Sequence, residues 1–493
     1  MQYFEDETKD FNKQEEAKYQ KVHGKSGFEK FVALPRAAKL TIYALILTVI
    51  FLITLLFFNI WVGTFGKLEN VKSLTGEQQV YLNKILSETF PQKYSLKITE
   101  LPYSIRPAKL NVWAESAIVY DFANGCVIYE KNADQIIPPA SITKLFVMYL
   151  VFEEINSGKI SLDDVVPLPE RSWAINLPSD ASKMFLGQGQ TVTLRELLNG
   201  LAVASGNDAA IAVASYISGG TDEFIKKMNE TCKNLGLVHT HFVDTSGYDE
   251  NNLTTPRELA QFIYIYMKKF GDIALQFHSM PSIFYPTEGN LPSWQKSYGD
   301  SKAIFQKNTN PLLGELEGCD GIKTGFIYES GYNLALTVKR GKERFISVTM
   351  KGPGNNTKEG QAGRVHDGKE IMEWAFSSFA DYVARERVKT IFTIPTPGTE
   401  EKFVNLVPAW DEIISVPHIT GKTPQDTADS IEAEVSIPKY IYGGVTAGRI
   451  YGQIQYKIGK TVLQTVPLVA DRNANPADNW GLFWGKLATH KLK

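Results

Sequence analysis

The longest apolar run in this chain is Leu40–Val62, which carries no charge. As a helix rising about 1.5 Å per residue it spans roughly 34 Å, enough for the hydrocarbon core of a bilayer. Tyr43 and Trp61 stand near its two ends, where interfacial aromatics collect. A shorter run, Leu145–Phe152, is apolar on every side of a helical projection, which predicts a buried helix. An amphipathic helix follows the capping box Thr193-x-x-Glu196. Asn333–Val338 and Phe345–Met350, joined around Arg340-Gly341-Lys342, predict a β-hairpin. Beyond Val388 the pattern shortens to alternating segments separated by Pro and Gly: Val388–Ile394, Ile431–Ile437, Val445–Tyr456 and Thr461–Val469. That spacing predicts a small all-β domain. At the end, Trp480, Phe483, Trp484 and Leu487 follow i, i+3, i+4, i+7, with Lys486, Lys491 and Lys493 on the other side. Such a stripe fits an amphipathic helix lying on a membrane surface.

These patterns divide the chain. Residues 1–39 are a polar tail, 40–62 a transmembrane signal anchor and 63–110 a stem with a helix near Glu77–Thr89. Residues 111–388 form the main domain, 389–475 the all-β domain, and 476–493 the membrane-associated tail. Lys18, Lys21, Lys25, Lys30, Arg36 and Lys39 precede the anchor; this positive flank places the N-terminus in the cytoplasm and everything after Val62 outside. No small-x-small cleavage site follows the run, so the anchor is expected to stay. The net charge of −2, without a basic block, argues against nucleic-acid binding. Three cysteines leave one unpaired in a monomer and fit small buried thiols. His239-Thr-His241 is read as a pair of loop or strand-end histidines; no metal and no cofactor are expected.

Three short motifs carry the chemistry: Ser141-Ile-Thr-Lys144, Ser205-Gly-Asn207 and Lys323-Thr-Gly325. Ser-x-x-Lys also occurs at Ser293/Lys296 and Ser436/Lys439. The first of these lies in a turn-rich stretch, and Pro438 breaks the second. Ser141 instead opens the buried helix, where an unpartnered hydroxyl and amine would be costly. A serine with a lysine one turn away, a second hydroxyl beside an amide, and a cation beside a hydroxyl and a glycine make a kit for acyl transfer through a serine ester.

The chain resembles the low-molecular-mass penicillin-binding proteins, the serine D-Ala-D-Ala carboxypeptidases of bacterial cell walls (peptidase S11-like). The resemblance covers about Ala114 to Asp471. It rests on the three motifs, on Ala117-Ile-Val-Tyr-Asp121 and Gly125, on Thr240-His-Phe-Val-Asp-Thr-Ser-Gly247, and on Thr254-Thr-Pro-Arg-Glu-Leu-Ala260 and Ser330-Gly-Tyr-Asn-Leu334. It implies an α/β (α+β) transpeptidase-like fold, with the motifs in a cleft between a helical cluster and an antiparallel sheet. A small all-β C-terminal domain follows. It also implies Ser141 as nucleophile, Lys144 as base and Ser205 as proton relay. Asn207 would hold the peptide amide, and Lys323, Thr324 and Gly325 would face a terminal carboxylate. The backbone N–H groups of Ser141 and Phe326 would form the oxyanion hole. The expected partners are peptidoglycan stem peptides ending in D-Ala-D-Ala, β-lactams and the membrane.

Other readings of the same motifs are a D,D-endopeptidase, a β-lactamase, and a non-catalytic peptidoglycan-binding protein. No Glu-x-x-Leu-Asn segment follows Ser205, which disfavours the β-lactamase. Phe326-Ile327 stands where a hydroxyl-bearing residue is common. Thr309 falls where some members have a substrate-binding arginine; either carboxylate binding is weaker here, or Arg364 compensates as a substrate-binding residue.

Overall fold

The computed structural model describes residues 13, 31–65, 73–94, 96–296, 303–419 and 421–492. Along the first part of the chain come strands β1 (Thr99–Glu100), β2 (Ser116–Asp121) and β3 (Cys126–Lys131). A hairpin of β4 (Ser282–Tyr285) and β5 (Ile304–Lys307) follows, then β6 (Cys319–Ile327), β7 (Gly331–Arg340) and β8 (Glu343–Gly352). Apart from the β4–β5 hairpin these form one sheet, in the order β1-β3-β2-β8-β7-β6. Only the β1–β3 pair is parallel.

Both faces of this sheet are covered. Ile118, Tyr120, Ile346, Val348 and Met350 point into one core, while Ala117, Val119, Leu334, Leu336, Val338 and Phe345 point into another. The period-two alternation of a strand thus feeds two apolar layers, and β2 is buried along its whole length. Helix α8 (Thr357–Ser378), the last of those flanking the sheet, closes the second layer. The first layer holds α3 (Lys144–Asn156), α4 (Leu194–Asn199), α5 (Asn207–Ser218), α6 (Thr221–Asn234) and α7 (Pro256–His278). Helix α3 sits at its centre, with Leu145 through Phe152 all buried and Phe146 stacked on Phe262 at 3.5 Å.

The sheet ends in β6, whose outer edge faces the short turn that leads into α3. That open edge is one wall of the cleft.

The C-terminal part is all-β in its sheets. Strands β10 (Phe392–Pro395), β11 (Phe403–Pro408), β13 (Glu432–Ser436), β14 (Ile450–Ile458) and β15 (Thr461–Ala470) form one antiparallel sheet, ordered β10-β11-β15-β14-β13. Strands β9 (Phe379–Val383) and β12 (Ile413–Pro417) pair separately. β9 starts immediately after α8, ahead of position 388.

Ahead of the sheet domain lie α1 (Arg36–Phe65) and α2 (Gly76–Thr89). Helix α1 contains the whole Leu40–Val62 run, and its apolar window is unburied. Helix α2 begins with a Thr75/Gln78 capping box and packs Leu82 and Leu86 against Val407, Ala409 and Val469. At the far end, α9 (Asn479–Leu492) lays Gly485 on the backbone of Pro397 and Gly398, where a Cβ would stand 2.3 Å from the Gly398 nitrogen. Tyr442 donates to the Leu482 carbonyl. Trp484 packs on Phe58 of α1 at 5.5 Å, and Lys491 bonds to Asn59. Trp480, Phe483 and Leu487 remain exposed.

Sheet domain and β-rich part meet at a carboxylate cluster. Ser415 donates to Asp121, Asn124 Nδ2 donates to Ser415 Oγ at 2.8 Å, and the Asp381 N–H donates to Glu343 at 3.2 Å. Burial, then Asp121 and Glu343, push Asp381 up to about 9, against Lys268. Its protonated form is therefore the one the fold favours. The stability it contributes is complete below the unfolded carboxyl range near 4 and erodes as pH rises toward 9. Asp381→Asn keeps the shape and removes the charge. It is expected to leave Tm unchanged at pH 4 and to raise it at pH 9 by about 2–4 °C, the shift ~1 kcal/mol produces in a domain of this size; calorimetry at the two pH values checks this.

Candidate active site

Ser141 and Lys144 do not lie within a regular α-helix. Ala140–Thr143 is a 3₁₀ turn, and α3 starts at Lys144. Three residues per turn eclipse positions i and i+3, so the two side chains stand one above the other. Lys144 is fully buried. Its Nζ lies 2.8 Å from Ser141 Oγ, 2.8 Å from Asn207 Oδ1 and 2.7 Å from the Ser246 carbonyl oxygen. Burial disfavours the ammonium and lowers Lys144 to about 7, against the pull of Asp244 and Asp208.

The second motif is a helix junction. Helix α4 runs into a π-turn, Gly200–Ala204; Ser205 then takes a left-handed conformation (φ 56°) and Asn207 opens α5. Its sharp reversal turns Ser205 toward Lys323, whose Nζ donates to Ser205 Oγ at 2.9 Å and to the Thr324 carbonyl at 3.1 Å. Lys323 is buried too, and it is pushed well below its usual range by burial first and then by the charges of Lys144 and Arg364.

Lys323, Thr324 and Gly325 lie inside β6, not at a strand end. Gly325 is the point of close approach: a Cβ there would stand 2.5 Å from the Pro139 carbonyl oxygen and 3.2 Å from the Ser141 nitrogen. The same contact brings Phe326 next to the Ser141 turn. Phe326 is partly exposed, stacks on Tyr332 at 4.4 Å and meets the exposed Tyr328 edge-on, so this lip of the cleft is aromatic. Thr324 donates to Thr309 Oγ1 at 2.7 Å, so Thr309 sits beside the Lys-Thr-Gly strand.

The structure therefore brings Ser141, Lys144, Ser205, Asn207, Lys323, Thr324, Gly325 and Phe326 together. Arg364, expected to contact substrate, is placed behind them. It is buried on α8, and its Nη2 donates to the Gly325 carbonyl at 2.6 Å, its Nε to the Asn333 carbonyl at 3.1 Å and its Nη1 to Gln361 at 3.3 Å. Burial lowers it to about 10.

Sequence reasoning assigned no role to the residues that support these, Asp208 and Asp244 foremost. Asp208 is buried and accepts the N–H groups of Met184, Phe185, Leu186 and Ala209, fixing the loop opposite Asn207. Asp244 accepts the N–H groups of Ser246, Gly247, Tyr248 and Asp249, and Asn252 donates to it at 2.9 Å. That coil presents the Ser246 carbonyl to Lys144. An Asp three residues before a Gly is an Asx-turn signal, and this one was legible. Gly247 (φ 78°) then passes so close to the Ser141 turn that a Cβ would be 1.8 Å from the Ala140 carbonyl oxygen.

A two-layered sheet-and-helix fold with a serine paired to a buried lysine defines an active-site serine hydrolase. Residues 104–354 match the Peptidase_S11 family, described as D-alanyl-D-alanine carboxypeptidase. The chain is 32% identical to the D-alanyl-D-alanine carboxypeptidase DacA of Escherichia coli over 77% of its own length and 87% of that protein's. It is 30% identical to DacF of Bacillus subtilis over 76% and 88%. Penicillin-binding protein 5 from Haemophilus influenzae superposes with a TM-score of 0.62 at 26% identity, covering 76% of this chain and all of that one. Penicillin-binding protein 6B from Escherichia coli gives 0.56 at 27%, covering 76% and 99%. The chain belongs to the S11 family of D-alanyl-D-alanine carboxypeptidases.

Gly247→Ala tests how tightly the Ser141 turn is held. Gly421 shares the left-handed conformation (φ 81°) with open space around it. Gly421→Ala is expected to cost only the ~1–2 kcal/mol of that conformation. Gly247→Ala is expected to cost more and to slow labelling by a fluorescent penicillin more than tenfold. Thermal melts and labelling rates on the two variants decide it.

Proposed function

We propose that the cleft removes the terminal D-Ala from peptidoglycan stem peptides by way of an acyl-enzyme on Ser141. The observation that carries this is the 2.8 Å contact between Ser141 Oγ and a fully buried Lys144 amine. A neutral amine accepts the hydroxyl proton as Oγ attacks the carbonyl of the penultimate D-Ala. The oxyanion that forms takes hydrogen bonds from the backbone N–H groups of Ser141 and Phe326. The proton taken by Lys144 is passed on through Ser205, which Lys323 holds by a hydrogen bond, to the leaving D-Ala nitrogen, so the C–N bond breaks and Lys144 is neutral again. Water then attacks the ester, gives its proton to Lys144, and Lys144 returns it to Ser141 Oγ as the shortened peptide leaves as a carboxylate. Lys323 and Thr324 receive the terminal carboxylate, and Asn207 holds the peptide amide. A β-lactam is the mimic of the same substrate terminus, and it acylates the same serine.

A base lowered to about 7 must be neutral to act. Acylation is therefore expected to rise with pH through about 7 and then level off. Lys144→Ala is expected to lose about 10²–10⁴-fold in acylation while staying folded. Stopped-flow labelling with a fluorescent penicillin, with peptide mapping of the adduct, checks both; label on Ser293 or Ser436, or a loss under tenfold, removes the assignment.

We further propose that the protein is held by the membrane twice, with residues 1–39 in the cytoplasm and the cleft outside. One tether is α1, the helix among the described residues long and apolar enough to cross. The other is α9, whose exposed Trp480, Phe483 and Leu487 point away from the β-rich part while Gly485, Ala488 and Thr489 are buried. The chain divides into tail, anchor, stem, sheet domain, β-rich part and terminal helix, and we start the β-rich part at Phe379, where β9 begins. A form starting at Ser73 is expected to bind anionic lipid vesicles, less tightly as salt rises. Trp480→Ala with Phe483→Ala is expected to abolish sedimentation with the vesicles and leave hydrolysis of a soluble peptide unchanged.

A further inference from the structure

The cleft has an arginine that the reaction just described does not use. Arg364 is buried and cationic, yet its donors are spent on main chain and on Gln361 rather than turned to the open edge of β6. Its shortest bond, 2.6 Å, goes to the Gly325 carbonyl. That carbonyl belongs to the same planar peptide unit as the Phe326 N–H. In a trans peptide the C=O and the N–H point in opposite directions. A carbonyl drawn back toward Arg364 therefore turns the N–H away from it, off the edge of β6. The Ser141 turn lies beside this peptide, close enough that a Cβ on Gly325 would be 3.2 Å from the Ser141 nitrogen.

The guanidinium is itself held. It lies over the Tyr332 ring at 5.1 Å, and Tyr332 stacks in turn on Phe326 at 4.4 Å. Tyr332 fits only because α8 has a glycine beneath it: a Cβ on Gly360 would come within 2.2 Å of the ring. Arg364, Tyr332 and Phe326 thus form a column that grips one peptide unit from its carbonyl and from its side chain. A charge-assisted bond to the carbonyl also polarises the peptide, which strengthens its N–H as a donor.

Resting on the carboxypeptidase reading above, the geometry points to Arg364 as a positioning residue that aims the Phe326 N–H at the oxyanion, acting through the Gly325–Phe326 peptide and not through the substrate carboxylate.

The two roles separate kinetically. A carboxylate ligand contributes to binding of any substrate that ends in a carboxylate, and its loss raises KM. A brace behind the oxyanion donor acts only as the tetrahedral centre forms, so its loss lowers kcat. The full-length protein in detergent is compared with Arg364→Gln and Arg364→Lys. The probes are a peptide ending in D-Ala-D-Ala and a phenylboronic acid without a carboxylate, whose tetrahedral adduct on Ser141 places an oxygen at the oxyanion position. For Arg364→Gln we expect kcat to fall about 10–100-fold, less than the roughly 10²–10³ that outright removal of one oxyanion donor costs, because the N–H is misaimed rather than lost. KM should stay within about twofold, and the boronic acid should lose affinity in parallel with kcat. Arg364→Lys keeps a cationic donor for the Gly325 carbonyl and should recover part of the loss. Unchanged kcat and boronate affinity in both variants overturns the proposal, as does a rise in KM with both unchanged. If Arg364→Gln fails to fold, Tyr332→Leu carries the test: a several-fold fall in kcat and boronate affinity supports the column, and no change overturns it. Wild-type protein that neither hydrolyses the peptide nor binds the boronic acid overturns the carboxypeptidase reading itself, and this assignment with it.

Discussion

An amine buried without exposure, at the start of a helix that is apolar all round, sets the terms for the rest of this site. Lys144 in that place is tolerable only if its hydrogen bonds are met and its charge is optional. Three acceptors from three separate parts of the chain meet it: Ser141 from the 3₁₀ turn, Asn207 from the first turn of α5, and the Ser246 carbonyl from the Asp244 coil. Each segment is locally unusual to reach that point. Ala140 and Ser205 have positive φ without being glycine, and Gly247 passes the Ala140 carbonyl where no side chain would fit. Such departures cost of order 1–3 kcal/mol each and persist only where the surroundings overdetermine them. Here the two-sided core of the sheet domain supplies those surroundings.

How much of this was legible depended on range. Helix α1, the buried α3 and the β7–β8 hairpin declare themselves through hydrophobic periodicity within their own residues. The three motifs could be ordered and assigned a chemistry without coordinates. The 3₁₀ turn under Ser141 was not legible, because a three-residue and a 3.6-residue spacing look alike over one turn. Lys323-Thr-Gly325 lies in the edge strand of the sheet, where hydrophobic pattern does not announce a strand: one interrupted by a lysine and a glycine loses the alternation that marks strands. β9, β11 and β12 went unread. β9 follows α8 with no turn residue between them, and β12 is five residues long. Arg364 was seen as a residue that matters, but its direction depends on which helix packs behind which strand, and that is decided by contacts from distant parts of the chain.

The lip of the cleft follows the same logic. Position 326 carries a phenyl ring, and the ring is held by Tyr332 and met edge-on by Tyr328 rather than by a polar partner. The cleft so has an apolar wall on that side.

The stem helix α2 packs into the far β-rich sheet, against Val407, Ala409 and Val469, and the terminal helix α9 returns to the end of α1 through Trp484 and Phe58. The last described helix thus folds back onto α1 instead of trailing away from it. A load applied to α1 therefore has a second route into the β-rich part, through α9. The two ends of the described chain brace one another, so a strain placed on α1 is also felt by α9 and by the β-rich part on which α9 lies.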